Sequence, residues 1–579
     1  MKKNIFAIFF VCLLFAGCSL REDVTSSSMK ETYYRTPQQI ITGLNGCYTN
    51  IRNIYNNVKY FAVTETQSDI IMTNGTIASN TNSYFMFSPS KPEYGATMWQ
   101  YGYQGVMRAN AMAAAIQRAY DNKYITGEEM TPLMAEAVVL RSLFYYTLTS
   151  NFGDVPFYED EVVGEKNDSI ARLPRTSASF IRNKLMAELK EWVLDKPQGS
   201  LDWKPTNAGD NAQQYRCGAA VGLYLGGKMA LWEEKWSDAI DFFGALEEIY
   251  GTGKGNPENA LAKYPLSDLV FSNRQIPESI FEISNIAIPF GLTVNGTLAS
   301  YCEPYRSTTA HDDDTEEEME QASSDIYGAG SPNDKWPGIG IPELGADART
   351  LTPFRPTEHF YKELMPYNST DLRRAKYDAE GNEIAGSAGY MAWGWVGYDP
   401  ADDRTVTDPM FRFFGNLGIS SSSVAKDKRP YLGNKFWCFG MHYTNDSNSP
   451  RVFRFAGALL SLAEAWYHKD EYGTALGYLN EVRRRAGLDP FSEGSFQYSE
   501  QILAAIQDEC ARELFGEFQR KHDLVRWGVW YEYVKKYRGS EANVAENLRP
   551  CHEYYPIPNE QITYSGGALD NKEYNKYGL

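Results

Sequence analysis

Residues 451–487 read RVFRFAGALLSLAEAWYHKDEYGTALGYLNEVRRRAG, and the fold class turns on this stretch. Apolar side chains recur at Val452, Phe455, Ala456, Leu459, Leu460, Ala463, Trp466 and Tyr467, the spacing of one buried helical face. After a polar break at 468–473 a second stripe runs through Ala475, Leu479 and Val482. Ala463, Trp466, Ala475 and Leu479 fall where a tetratricopeptide-type helix hairpin places its small and large residues. Small residues let two antiparallel helices approach, and large ones fill the gap between them. The stretch is expected to be scaffold, with function hanging from it.

The same spacing returns within 213–250, at Gly227, Ala230, Ala239, Phe243 and Leu246, which predicts a second hairpin of the same kind. Thr36-Pro37-Gln38-Gln39 predicts a capped helix start, with Ile40, Leu44, Tyr48 and Ile51 on the buried face. A further helix is expected from about Trp99 through Tyr103, Val106 and Asn110 to Ala115. Thr131-Pro132 predicts another start, and Gly153 and Pro156 end that helix. Helices are also expected over 177–194 and 499–530, with extended chain at 554–558. Residues 59–96, including Thr66-Gln67-Ser68-Asp69, read as loop-rich. From about 285 to 448 helical periodicity fades and Gly, Pro, Asp and Ser rise. Irregular stretches of that length inside a compact domain are usually functional. The fold reading is mainly α: one domain over 36–579, whose helical scaffold (36–284 and 449–579) carries a large, irregular, loop-rich insertion (about 285–448).

With 579 residues and 43% hydrophobic content, the chain can bury a substantial core. Its net charge of −18 argues against nucleic acid, whose phosphates it would repel. The 40 Tyr and 12 Trp serve large helix-packing cores, stacking surfaces for sugar rings, or both.

Lys2 and Lys3 precede the apolar run 5–16, which is too short to span a bilayer but fits a signal-peptide core. It ends at Phe15-Ala16-Gly17-Cys18, which resembles a bacterial lipobox. Residues 1–17 are expected to be removed, Cys18 to carry lipid, and the polar residues 18–35 to act as a tether. Of the eight cysteines, Cys12 lies in the signal and Cys18 at the anchor. Cys47, Cys217, Cys302, Cys438, Cys510 and Cys551 are widely spread with no CxxC pair, so few or no disulfides are expected.

Signs of catalysis are sparse. The six histidines form no HExxH pair, and no GxSxG elbow is present. Glu509, Glu513, Glu517, Arg520, Asp523 and Arg526 alternate in sign at helical spacing, the pattern of a paired structural network. A glycosidase pair of carboxylates is not excluded by counting, because its test is a separation in space. The acidic run Asp312-Asp313-Asp314-Thr315-Glu316-Glu317-Glu318 offers oxygen ligands for a structural calcium ion. It lacks the turn Gly of an EF-hand, and a solvated acidic loop is the simpler reading. No cofactor is expected.

Taken in order, the residues resemble the SusD/RagB group of outer-membrane lipoproteins of Bacteroidetes-type bacteria. The likeness runs through Trp99, Tyr103, Val106 and Asn110, then Ala135-Glu136-Ala137, Leu140-Arg141 and Phe152-Gly153-Asp154-Val155-Pro156. It continues through Glu278-Ser279-Ile280-Phe281-Glu282-Ile283, the 454–487 hairpin, the 509–526 charged set and Pro556-Ile557-Pro558 with Glu560. Gly457, Cys510 and Phe518 depart from it, standing where that group usually has Glu, Arg and Gly. The resemblance implies a helical fold with four tetratricopeptide-like units, a variable ligand face and a SusC-like TonB-dependent transporter as partner. Similar proteins also carry a basic-then-acidic tag like Arg21-Glu22-Asp23 when they face the extracellular side of the outer membrane.

Candidate ligand-binding residues follow. Trp336, Trp393 and Trp395 sit among Gly and Pro in the insertion, where an indole has little local helix to pack into. Loop tryptophans also commonly plug a loop onto the core. Asp69 and Trp99 fall near regions that border the ligand site in similar proteins. The expected function is capture of an oligosaccharide or polysaccharide without catalysis, and delivery to the transporter. A peptide- or protein-binding member of the same group and a glycoside hydrolase are the alternatives.

Overall fold

The computed structural model describes residues 33–56, 58–73, 80–164, 166–196, 216–251, 261–285, 296–302, 354–366, 369–374, 384–392, 430–438, 441 and 444–579. Helix α1 (Pro37–Tyr55) starts at Thr36, whose side chain accepts from the Gln39 N–H while the Gln39 side chain takes the Thr36 N–H. It is followed by α2 (Val58–Thr64), α3 (Tyr94–Asp121), α4 (Gly127–Phe152) and α5 (Ala178–Leu189), the last running into a wider turn at Lys190–Leu194. Next come α6 (Ala219–Trp232), α7 (Trp236–Tyr250), α8 (Phe455–Tyr467) and α9 (Tyr472–Arg485). The row closes with α10 (Glu500–Glu513), α11 (Arg520–Arg526) and α12 (Trp530–Arg538). Packing runs from neighbour to neighbour: α1 on α3, α3 on α4, α4 on α5 and α6, α6 on α7, α7 on α8, and α8 on α9 and α10. The protein is a mainly helical scaffold.

The hairpins α6–α7 and α8–α9 are built alike. Gly227 and Ala463, Ala239 and Ala475, Phe243 and Leu479, and Leu246 and Val482 take equivalent places. All eight positions are buried. A Cβ on Gly227 would lie 2.5 Å from the Phe243 ring, which is why a small residue stands there. Both hairpins, and α3–α4, turn through a non-glycine residue in the left-handed region: Lys123, Glu234 and Asp470, with φ of 61°, 53° and 59°. In each case the next N–H (Tyr124, Lys235, Glu471) donates to a carbonyl five residues back (Ala119, Ala230, Trp466). An L-residue is strained there, so Glu234→Gly is expected to raise stability by roughly 0.5–1 kcal/mol, read as a shifted urea midpoint at unchanged slope.

Among the described residues there are three antiparallel two-stranded ribbons: β1 (Ile71–Thr73) with β3 (Phe354–Pro356), β2 (Ser279–Glu282) with β6 (Arg451–Arg454), and β4 (Met391–Ala392) with β5 (Tyr431–Leu432). Strand β6 corrects the reading of 451–487, whose first four residues are strand. The β-favouring Val452 and Phe453 pair with the equally apolar Ile280-Phe281 stretch, and the helix starts only at Phe455.

Other boundaries also move. Helix α4 begins at Gly127, because Thr126 and Glu129 form a reciprocal capping box that outcompetes the Thr131-Pro132 signal and leaves Pro132 inside the helix. The 499–530 segment is broken at 514–519, where Gly516 and Phe518 take positive φ. The supposed loop 59–96 contains α2 and a buried stretch, 64–69. All six cysteines among the described residues are free thiols, five of them buried.

Candidate functional site

Residues 64–69, Thr-Glu-Thr-Gln-Ser-Asp, are fully buried although every side chain is polar. Polar groups are tolerated there only because almost all of them are paired. The Glu65 carboxyl accepts through Oε1 from the Gln519 and Arg520 N–H groups (3.0 and 3.4 Å) and so caps the start of α11. Burial pushes this carboxyl up to about 8, against the pull of those N–H groups. Gln67 accepts from Lys521 Nζ at 2.6 Å, donates to Asn82 O and Tyr555 Oη, and offers its carbonyl to Trp530 Nε1. Burial brings the Lys521 ammonium down to about 7. Asp69 binds Arg520 at both oxygens (2.8 and 2.6 Å), with His359 Nε2 at 3.8 Å. Its carbonyl, with that of Ile70, receives the Thr357 hydroxyl and N–H just after β3. This stretch ties α11 and α12 to the strands.

The strands lie where the irregular segment joins the scaffold. Thr73, Phe354, Ala392 and Tyr431 are ribbon ends, and β3 also lies against β5. Phe354 faces the helical core, with its ring 5.2 Å from Phe61. Arg355, next along the strand, is 1% exposed and holds its guanidinium carbon 3.3 Å above the Tyr431 ring centre.

The charged set of α10 and α11 is paired throughout. Glu509 meets Arg373 and Arg512, Glu513 meets Arg373, Arg454 and Arg485, and Glu517 meets Lys435 and Arg454. Asp523 meets Lys228 and Arg526, and Arg526 reaches Glu464. Burial alone would raise Glu509, but Arg373, Arg512 and Arg483 outweigh it and hold this carboxyl at about 2. Carboxylates fixed in this way are poor proton donors at neutral pH.

A cleft of about 470 Å³ opens elsewhere, between the starts of α1 and α4 and residues 216–219. Ile41, Leu133, Val139 and Val193 line it beside the Glu136–Arg216 pair (2.6 Å). Among its described lining residues no aromatic ring offers a stacking surface.

Two family models match the sequence. One, described as the SusD family, covers residues 370–574, and the other, described as starch-binding associating with outer membrane, covers residues 22–178. A SusD-like protein of Formosa agariphila is 23% identical across 99% of both chains. Together the two models and this relative support a SusD-like family protein.

Solved structures agree with this SusD-type fold. A SusD superfamily protein from Bacteroides vulgatus superposes with a TM-score of 0.64 at 17% identity, covering 94% of this chain and 100% of its own. Surface glycan-binding protein A from Bacteroides thetaiotaomicron, in complex with laminarihexaose, gives 0.63 at 18% identity over 92% and 98%.

Against that background the sequence candidates divide. Asp69 is fully buried, with both oxygens on Arg520, and so presents no free acceptor to a ligand. Trp99 is 5% exposed, packed on Tyr103 and edge-on to Phe152 of the Phe152-Gly153-Asp154-Val155-Pro156 turn. Trp336, Trp393, Trp395, Cys18 and the acidic run 312–318 lie outside the described residues.

Two departures from the SusD-family pattern acquire physical reasons. A Cβ at Gly457 would lie 2.3 Å from the Tyr224 hydroxyl, which fills the space a side chain would need. Phe518 takes φ of 62° where glycine would be unstrained, and its ring packs on Tyr60 and Phe61. Arg355 and the 64–69 stretch were missed in the sequence. The signal for the latter was six successive polar residues without a Gly or Pro to mark a turn.

Proposed function

We propose that this protein is a surface-exposed outer-membrane lipoprotein, anchored through Cys18, that binds an oligosaccharide or polysaccharide and delivers it to a SusC-like TonB-dependent transporter. The observation that carries the reading is whole-length likeness in fold to a surface glycan-binding protein solved with laminarihexaose. The family description that joins starch binding to the outer membrane supports it. Binding proceeds without turnover in this reading. The carboxylates with the most catalytic look, Glu509, Glu513 and Glu517, are each spent on buried arginine or lysine partners.

The stacking surface is assigned to Trp336, Trp393 and Trp395. Replacing the three together by Ala is expected to weaken glycan binding by at least about a hundredfold, since each stacked ring contributes on the order of 1 kcal/mol. The thermal transition should stay where it is. Affinity electrophoresis of the full chain through gels containing laminarin, starch and other glycans reads the first effect, and differential scanning fluorimetry the second. Retained affinity would move the stacking surface elsewhere. Co-purification of a TonB-dependent transporter from native membranes tests the delivery step.

A further inference from the structure

Among the described residues, five helix ends gather at one end of the scaffold: the starts of α1, α4 and α6 and the ends of α3 and α5. Pro37, Glu129, Ala219 and Val193 line one cleft there, and α3 reaches α4 through the short turn 122–126. The described chain enters at the same end, at Tyr33, just ahead of α1. Tyr34 seats this entry against α1, so closely that a Cβ on Gly43 would lie 2.8 Å from its ring, and Tyr33 meets Tyr34 edge-on at 5.1 Å. Arg35 then holds its guanidinium carbon 5.2 Å from the centre of the Tyr124 ring, in the α3–α4 turn.

This end is open to solvent and carries rings with a polar edge. Tyr120 and Tyr124 are 43% and 46% exposed. Just past α5, Trp192 is partly exposed, with Lys196 Nζ 4.9 Å from its ring centre. A single exposed ring needs no explanation. Amphipathic rings grouped with long cationic side chains, around the point where an anchored chain enters, do need one. Tyrosine and tryptophan settle at the level of lipid headgroups because the ring body is apolar and one edge is polar, and an arginine or lysine stem lies along them with its charge in water. Residues 18–33 span at most about 50 Å even when fully extended, so a lipid on Cys18 ties this end of the fold, before any other, to the bilayer. The exposed charges are mixed: Arg35 and Lys123 stand with Asp121 and Glu128. Attraction to an anionic surface largely cancels, which leaves the rings to carry the contact.

We infer that this end of the scaffold rests on the lipid surface that holds the anchor, with Tyr120, Tyr124 and Trp192 at headgroup level. The inference rests on the Cys18 anchor proposed above and adds which face of the domain meets the membrane.

The test uses the full lipidated chain, purified from native membranes and reconstituted into vesicles of phosphatidylethanolamine and lipopolysaccharide that contain a photoactivatable phospholipid. Mass spectrometry reads the lipid on Cys18 and, after illumination, maps the crosslinks. They are expected within 33–35, 120–128 and 190–196 and should persist at high salt. In a chain carrying Tyr120→Ser, Tyr124→Ser and Trp192→Ser they should fall at least about tenfold, with the lipid on Cys18 unchanged. Crosslinks on other faces only, crosslinks spread evenly over the domain, or their loss at high salt overturn the inference and leave the anchor standing. A Cys18 without lipid overturns both. Should the triple variant fail to fold, the crosslink map of the unaltered chain at low and high salt decides alone.

Discussion

A chain with Arg454 replaced by Met is expected to lose roughly 3–5 kcal/mol of stability, the usual cost of removing one partner from a buried ionic cluster. Arg454 is 0% exposed and donates to Glu517 Oε2 at 2.7 Å, Glu278 Oε1 at 2.8 Å and Glu513 Oε1 at 2.7 Å, as well as to the Glu513 carbonyl. Methionine fills most of the volume, so the loss reports electrostatics more than cavity. The three carboxylates keep other partners: Arg485 for Glu278, Arg373 and Arg485 for Glu513, Lys435 for Glu517. Those contacts should prevent a larger loss. Arg454→Lys retains the charge but cannot span three acceptors, so it should recover only part of the stability. Urea unfolding followed by tryptophan fluorescence reads both variants. A Met variant within about 0.5 kcal/mol of the parent would mean that burial, not pairing, holds this junction together.

The same cluster explains what could be read from the sequence and what could not. The apolar stripes of α7, α8 and α9 were legible because a helix repeats its buried face locally, every three or four residues. The sign alternation through 509–526 was legible for the same reason. The identity of the partners was not. Glu278 and Arg454 are 176 residues apart, and Asp69 and Arg520 are 451 apart, distances over which no local pattern carries information. Residues 64–69 were misread as loop because a buried polar stretch has no period, only a need for partners. The first turn of α4 was misplaced because two capping signals stood five residues apart and only one could win. Of the sequence candidates, Asp69 and Trp99 are buried, because the groups that enclose them, Arg520 and Phe152, lie far along the chain where no local pattern points to them.

Stability is expected to be nearly level from about pH 5 to 8 and to collapse below about pH 4.5. The sign for each group follows from whether the folded or the unfolded chain binds more protons. Glu65, pushed by burial to about 8, and Asp446, pushed by burial to about 7, hold protons in the folded chain that the unfolded chain has released. Their contribution is full at low pH and is lost as pH rises through those values. His522 and His552, both brought by burial to about 3, stay neutral where unfolded histidines have charged, so their contribution is lost as pH falls below about 6.5. Between pH 4.5 and 6.5 these two carboxyls and two histidines oppose one another, and the half-buried Glu159, raised by burial to about 7, adds a weaker pull on the side of the carboxyls. From pH 7 to 8, Lys521, brought by burial to about 7, gains with rising pH what Glu65 loses.

Below 4.5 the balance ends. Burial would raise Glu509, Glu513 and Asp523, but their arginine and lysine partners hold all three below the ordinary range, so the unfolded chain takes up protons first. With both histidines still pulling the same way, each group costs up to about 1.4 kcal/mol per pH unit, or roughly 5–10 kcal/mol together by pH 3. That is as large as the whole stability of an ordinary domain, so cooperative acid unfolding should fall between about pH 4 and 3. Glu65→Gln keeps an oxygen for the Gln519 and Arg520 N–H groups and removes one of the compensating titrations. Its plateau should tilt, with greater stability than the parent at pH 8 and a steady decline toward pH 5. Urea midpoints measured at half-unit pH steps would show the tilt. An identical profile for the two chains would mean that Glu65 is ionised in the folded protein.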